Sequence, residues 1–121
     1  MTIKYKGTVN VVGVREEILS ILPIIERCFQ DSGCNDFTIT CTVGDHAKDD
    51  PHSNGFAIDI RLHDYGIDLQ NNLFNRVNTT LSGLYYVKLE DVGKMNAHLH
   101  IQVYKGIWQS ILDRERLKRN T

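Results

Sequence analysis

The residues best suited to chemistry fall in two short runs, His52-Ser53-Asn54-Gly55-Phe56-Ala57-Ile58-Asp59 and Ala97-His98-Leu99-His100-Ile101. The first places an imidazole and a carboxylate at the two ends of a glycine-containing turn and strand. The second alternates polar and apolar residues as a half-buried strand does, so His98, His100 and Gln102 share one face and Leu99, Ile101 and Val103 the other. By the same alternation Ala57, Asp59 and Arg61 leave one side of their strand while Phe56, Ile58 and Ile60 face a core. If the two strands are neighbours, Asp59 and a histidine from 98 or 100 converge with His52 on one ion. Two histidines and one carboxylate leave a fourth position open for water, the pattern of catalytic rather than structural zinc. Gly55 lets the backbone bend where His52 folds back over the strand, and the small Ala57 leaves room above the sheet.

Each run also has a plainer reading. Asn54-Gly55 is a common hairpin turn, which would make His52 a surface histidine beside it. His98 and His100 would then be a solvent-facing pair on an edge strand. The order of the two runs and their placement on polar faces favour the metal.

Around these runs the composition is that of a soluble globular protein. The 121 residues suit one domain, 1–121, able to bury about two thirds of its unfolded surface. Hydrophobic residues make up 41% and charged residues 24%, and the formal charge of -1 argues against a nucleic acid or membrane surface held by bulk electrostatics. The N-terminal run Met1 to Gly7 has no apolar segment of signal-peptide type, and the apolar run near Val11 is broken by Asn10 and Gly13. A cytoplasmic product as synthesised is therefore expected, and a monomer. Cys28, Cys34 and Cys41 are odd in number and lack paired C-x-x-C spacing, which points to reduced, packed thiols.

The scaffold reads in order as follows. Residues 3 to 12 are extended, with a break at Gly7. From Val14 to about Asp31, Ile18, Leu22, Ile25 and Phe29 recur at helical spacing, with Leu19, Ile21 and Cys28 widening the stripe, and Pro23 must kink or restart the helix. Gly33 stops it. Asp36 to Val43 alternates as a strand, and an irregular polar loop from Gly44 to Pro51 delivers the chain to His52. Phe56 to Leu62 is the next strand. Asp68 caps a second helix that buries Leu69, Leu73, Val77 and Leu81, and Gly83 ends it. Strands follow at 85–90 and 98–104. A helix from 106 to about 118 turns Ile107, Trp108, Ile111 and Leu112 inward and ends in Arg114, Arg116, Lys118 and Arg119. This order lacks regular βαβ alternation, so an α+β domain with a mainly antiparallel sheet and flanking helices is expected.

The pair of motifs carries a family resemblance. HxxGxAxD (His52, Gly55, Ala57, Asp59), followed by HxH (His98, His100), resembles the zinc D-alanyl-D-alanine carboxypeptidases, L-alanyl-D-glutamate endopeptidases and related phage lysins. The likeness extends over Phe37-Thr38-Ile39-Thr40, the loop residue His46, Asp59-Ile60-Arg61 and Leu89-Glu90, and the chain looks like the small single-domain members found in phage genomes. It implies the Hedgehog/DD-peptidase fold, with His52, Asp59 and His100 as zinc ligands and His98 or Glu90 as general base. A zinc-bound water with a pKa near 7 would supply hydroxide and the ion would polarise the scissile carbonyl.

Some family features are absent. Asp50 stands where many relatives have serine, Met95 and Ala97 stand where the carboxypeptidase branch has the glutamate of ExxH, and Cys41-Thr42-Val43-Gly44 lacks the arginine many members use for a substrate carboxylate or oxyanion. His46, Lys48 or Arg61 could substitute. His46 could equally be a solvated loop residue, and Arg61 and Asp50 a surface ion pair or loop cap. These departures favour endopeptidase over carboxypeptidase action. The resemblance thus implies a zinc peptidase that cuts a peptidoglycan stem or cross-bridge, released by lysis, carried in a phage particle, or recycling peptides inside the cell. The alternatives are a catalytically silent zinc-binding recognition domain and a phage structural domain of the same fold.

Overall fold

The computed structural model describes residues 2–7, 13–41, 51–52 and 54–119, without the side chain of Cys41. The elements run β1 (Thr2–Tyr5), α1 (Glu16–Leu19), α2 (Leu22–Asp31), β2 (Asp36–Cys41), β3 (Ala57–Arg61), α3 (Ile67–Leu81), β4 (Tyr85–Glu90), β5 (His98–Val103) and α4 (Lys105–Arg119). The expected strand continuation at 8–12 and the loop residues His46, Lys48 and Asp50 lie outside the described residues.

Pro23 restarts the first helix rather than kinking it. It occupies the first turn of α2, where the missing N–H costs nothing because helix-start donors have no partner within the helix. The break falls after Leu19, which is consequently 47% exposed instead of extending the buried stripe. Ile18, Ile21, Ile25, Cys28 and Phe29 are buried as their spacing predicts. Gly33, at φ +89°, ends α2: the Cys34 N–H donates to the Phe29 carbonyl and the Gly33 N–H to that of Gln30.

Among the described residues five strands form one mixed, mostly antiparallel sheet in the order β1-β2-β3-β5-β4, and the domain is α+β. The β1–β2 pair is parallel and the other three pairs are antiparallel. Ile58 and Ile60 of β3 and Leu99 and Ile101 of β5 pack with Ile18, Ile25, Phe29, Leu73 and Val77 from the helices in one buried cluster. Burying each such side chain contributes on the order of 1.5–3 kcal/mol, so one sheet face is committed to this core. The opposite face is left to Asp59, Arg61, His98, His100 and Gln102. Cys28 and Cys34 are buried free thiols, as expected. In α4 only Trp108 is fully buried, with Ile111 and Leu112 partly covered; Ile107, expected inward, is 37% exposed. Among the described residues no helix is long and apolar enough to cross a membrane.

The start of α3 differs from the expected Asp68 cap. Gly66 is the N-cap, its carbonyl accepting the Gln70 N–H at 3.0 Å, and Asp68 sits inside the first turn, where a negative charge suits the helix dipole. Gln70 is 2% exposed. Its Nε2 donates to the Leu62 and Tyr65 carbonyls at 3.1 and 2.8 Å, and its Oε1 accepts the Gly93 N–H at 3.0 Å. One amide therefore ties the end of β3 to the β4–β5 connection. Replacing it by alanine strands buried polar groups, so Gln70→Ala should lower unfolding free energy by about 1–3 kcal/mol in urea titrations. A loss below about 0.5 kcal/mol would show that these bonds are dispensable.

Candidate metal centre

Strand register brings the two motifs together. Asp59 of β3 lies directly opposite His100 of β5, and Arg61 opposite His98. On the other side of β5, Lys88 opposes His100 and Glu90 opposes His98. β5 is thus interior to the sheet, and its histidines are partly buried rather than a solvent-facing pair on an edge.

His52 arrives from outside the sheet. The turn before β3 is closed by the Gly55 N–H donating to the His52 carbonyl at 3.1 Å and the Phe56 N–H to that of Pro51 at 2.8 Å. This is not a two-residue hairpin, and His52 is only 5% exposed. Gly55 has φ +81°, and a Cβ there would collide with the Gly13 carbonyl oxygen, so both conformation and space require glycine. Arg15 braces the same turn. Its backbone N–H donates to the Gly55 carbonyl at 2.9 Å and its Nε to the Asn54 carbonyl at 3.1 Å, while Nη1 pairs with both carboxylate oxygens of Glu115 at 2.9 and 2.7 Å. The guanidinium lies 4.8 Å from the centroid of the Phe56 ring, against which Trp108 also stacks.

The result is convergence on one oxygen. Asp59 Oδ1 is 2.9 Å from His100 Nδ1 and 3.3 Å from His52 Nε2. The ligand atoms offered by His52, Asp59 and His100 all lie within 4.8 Å of one another, and together they could hold a metal ion. Two imidazole nitrogens and one carboxylate oxygen are a donor set that suits zinc among other divalent metals. Of the two histidines left open by strand alternation, His100 joins the group. His98 is not one of the three and lines the cleft beside them: its Nδ1 is 2.8 Å from the Asn96 carbonyl and its Nε2 3.7 Å from Glu90 Oε1.

Beside the centre is an open cleft of about 400 Å³ lined by Asp59, Arg61, His63, His98, Thr40 and Lys6, among others. Arg61 therefore stands at the edge of the site, while His46 lies outside the described residues. On the other flank the Tyr86 ring meets His100 edge-on at 6.5 Å between centroids. Arg15 and Asn96 are contributors that the motifs do not reveal, since each acts through its contacts with distant backbone or a neighbouring turn. Compared with family models, curated proteins and solved structures, the chain gives no match.

The electrostatics of the group match its geometry. Burial opposes charge on Asp59, but hydrogen bonds from His100 and His52 outweigh it and hold the carboxyl well below the usual range. Burial likewise opposes protonation of His100, but the bonds to Asp59 and then Gln102 prevail and raise its pKa. In metal-free protein the Asp59 contribution to stability is present above the ordinary carboxylate pKa and lost only as pH falls through the lowered value. The His100 contribution is full below the ordinary imidazole value of about 6.5 and is lost as pH rises through the raised one. A cation must displace the His100 proton. The rise in unfolding temperature given by zinc over chelator should therefore grow as pH rises from below the ordinary imidazole value of about 6.5 through the raised value of His100. A gap independent of pH would contradict this exchange of proton for metal.

Proposed function

We propose that this chain is a zinc-dependent peptidase of the Hedgehog/DD-peptidase type, an endopeptidase hydrolysing a peptide bond in a peptidoglycan stem or cross-bridge. The observation that carries the reading is the meeting of His52, Asp59 and His100 beside an open cleft that also exposes His98. His52 Nε2, His100 Nδ1 and the Asp59 carboxylate would hold the ion. Such a metal supplies Lewis acidity toward a carbonyl and makes a coordinated water acidic near neutral pH.

His98 is equipped to move the proton. The Asn96 carbonyl can only accept, so Nδ1 carries a hydrogen and Nε2 is the basic atom of the neutral ring. Nε2 takes a proton as water attacks the substrate carbonyl and returns it to the leaving amine. Glu90, beside that nitrogen, stabilises the imidazolium or serves as the second acceptor. Arg61, across the strand pair from His98, offers a cationic contact to the peptide in the cleft. The peptidoglycan substrate rests on the motif resemblance, and the fold by itself does not select it.

Zinc-loaded protein incubated with purified sacculi and synthetic stem peptides should release fragments identifiable by mass spectrometry. His98→Ala or Glu90→Ala should lower the rate by about 100-fold or more, the usual size of a general-base effect, with zinc still bound. Zinc binding without any cleavage would instead identify a recognition domain.

A further inference from the structure

Gln102 continues the strand face that carries His98 and His100, and its side chain turns back along β5 to the ring of His100. Its Oε1 lies 2.6 Å from His100 Nε2, while its Nε2 donates to the Val103 carbonyl at 3.4 Å. The second contact orients the first. A backbone carbonyl can only accept, so the atom facing Val103 is the amide nitrogen and the atom facing His100 is the amide oxygen. That oxygen can only accept in turn. His100 Nε2 must therefore carry a hydrogen, and the proton distribution on the ring follows from its partners.

We infer that Gln102 is a positioning residue that fixes the tautomer of His100, reserving Nδ1 for a divalent cation. The opposite edge of the ring is the one turned toward Asp59 Oδ1, at 2.9 Å. With Nε2–H held by Gln102, the neutral ring presents a lone pair at Nδ1, on the side where Asp59 and His52 converge. Without Gln102 the other neutral tautomer gains ground. Its Nδ1–H would donate to Asp59, and the ligand position would be closed by an internal hydrogen bond. Partners of this kind on the far nitrogen of a metal-bound histidine typically account for about 10- to 100-fold in metal affinity.

The inference rests on the metal centre but not on peptidase activity, and it is tested by binding. Zn²⁺ titrations should show that Gln102→Leu, similar in size but unable to accept, loses about 10- to 100-fold in affinity. Gln102→Glu, which keeps an acceptor oxygen at the same reach, should stay within about threefold of the wild type. Unfolding of the metal-free variants separates a positioning role from a general structural one, because the latter would weaken both variants without zinc. Wild-type affinity in Gln102→Leu would overturn the proposal. An independent reading comes from the imidazole ¹⁵N resonances of zinc-loaded wild-type protein: a hydrogen on His100 Nε2 with zinc on Nδ1 is expected, and the reverse would also overturn it. Failure to cleave any peptide leaves both readouts intact.

Discussion

One carboxylate oxygen shared by two imidazoles is the constraint on which the rest of this structure depends. Asp59 Oδ1 sits within reach of both His52 and His100, and the Asp59 side chain is only 17% exposed. A carboxylate so placed is costly unless it is compensated by hydrogen bonds and opposite charge. Here both histidines supply them, and a divalent cation would do so more strongly. The same three groups thus explain why the carboxyl stays ionised and why the position suits a metal.

The fold delivers these groups by two different devices. Asp59 and His100 are fixed by sheet register, since adjacent antiparallel strands put opposite residues on one face a few ångströms apart. Their apolar neighbours Ile58, Ile60, Leu99 and Ile101 anchor the other face, so a slip of one residue would bury the chemistry and expose the core. His52 has no such register. It is held by a turn that needs glycine at position 55 and is braced by Arg15, which reaches forward to Glu115 of the last helix. The histidine that comes from a turn is therefore linked, through Arg15, to the start of α1 and to α4.

Much of this was readable from residue order. Strict alternation in Ala57-Ile58-Asp59-Ile60-Arg61 and His98-Leu99-His100-Ile101-Gln102 specifies strands and faces, and β-strand geometry then carries the side chains to their places. What the order could not choose was which of His98 and His100 meets Asp59, because both share a face and only inter-strand register separates them. Gln70 was hidden for another reason: a polar side chain in an amphipathic helix reads as solvent-facing, whereas here it replaces missing backbone partners. Leu19 widens the stripe only on paper, because the helix restarts at Pro23 and the turn that carries Leu19 belongs to a separate short helix. Ile107 and the cap of α3 show the same weakness at element ends, where one turn of helix is decided by packing and backbone geometry more than by residue type. Arg15 carries no local pattern at all, as its partners lie about forty and a hundred residues away.

The central claim concerns a single ion and three side chains. The most direct measurement is anomalous diffraction at the zinc edge from crystals of the wild-type protein grown with zinc. One peak about 2.0–2.2 Å from His52 Nε2, His100 Nδ1 and an Asp59 carboxylate oxygen is the predicted result. A fully loaded crystal whose zinc lies elsewhere, or touches fewer than two of these three residues, would contradict it.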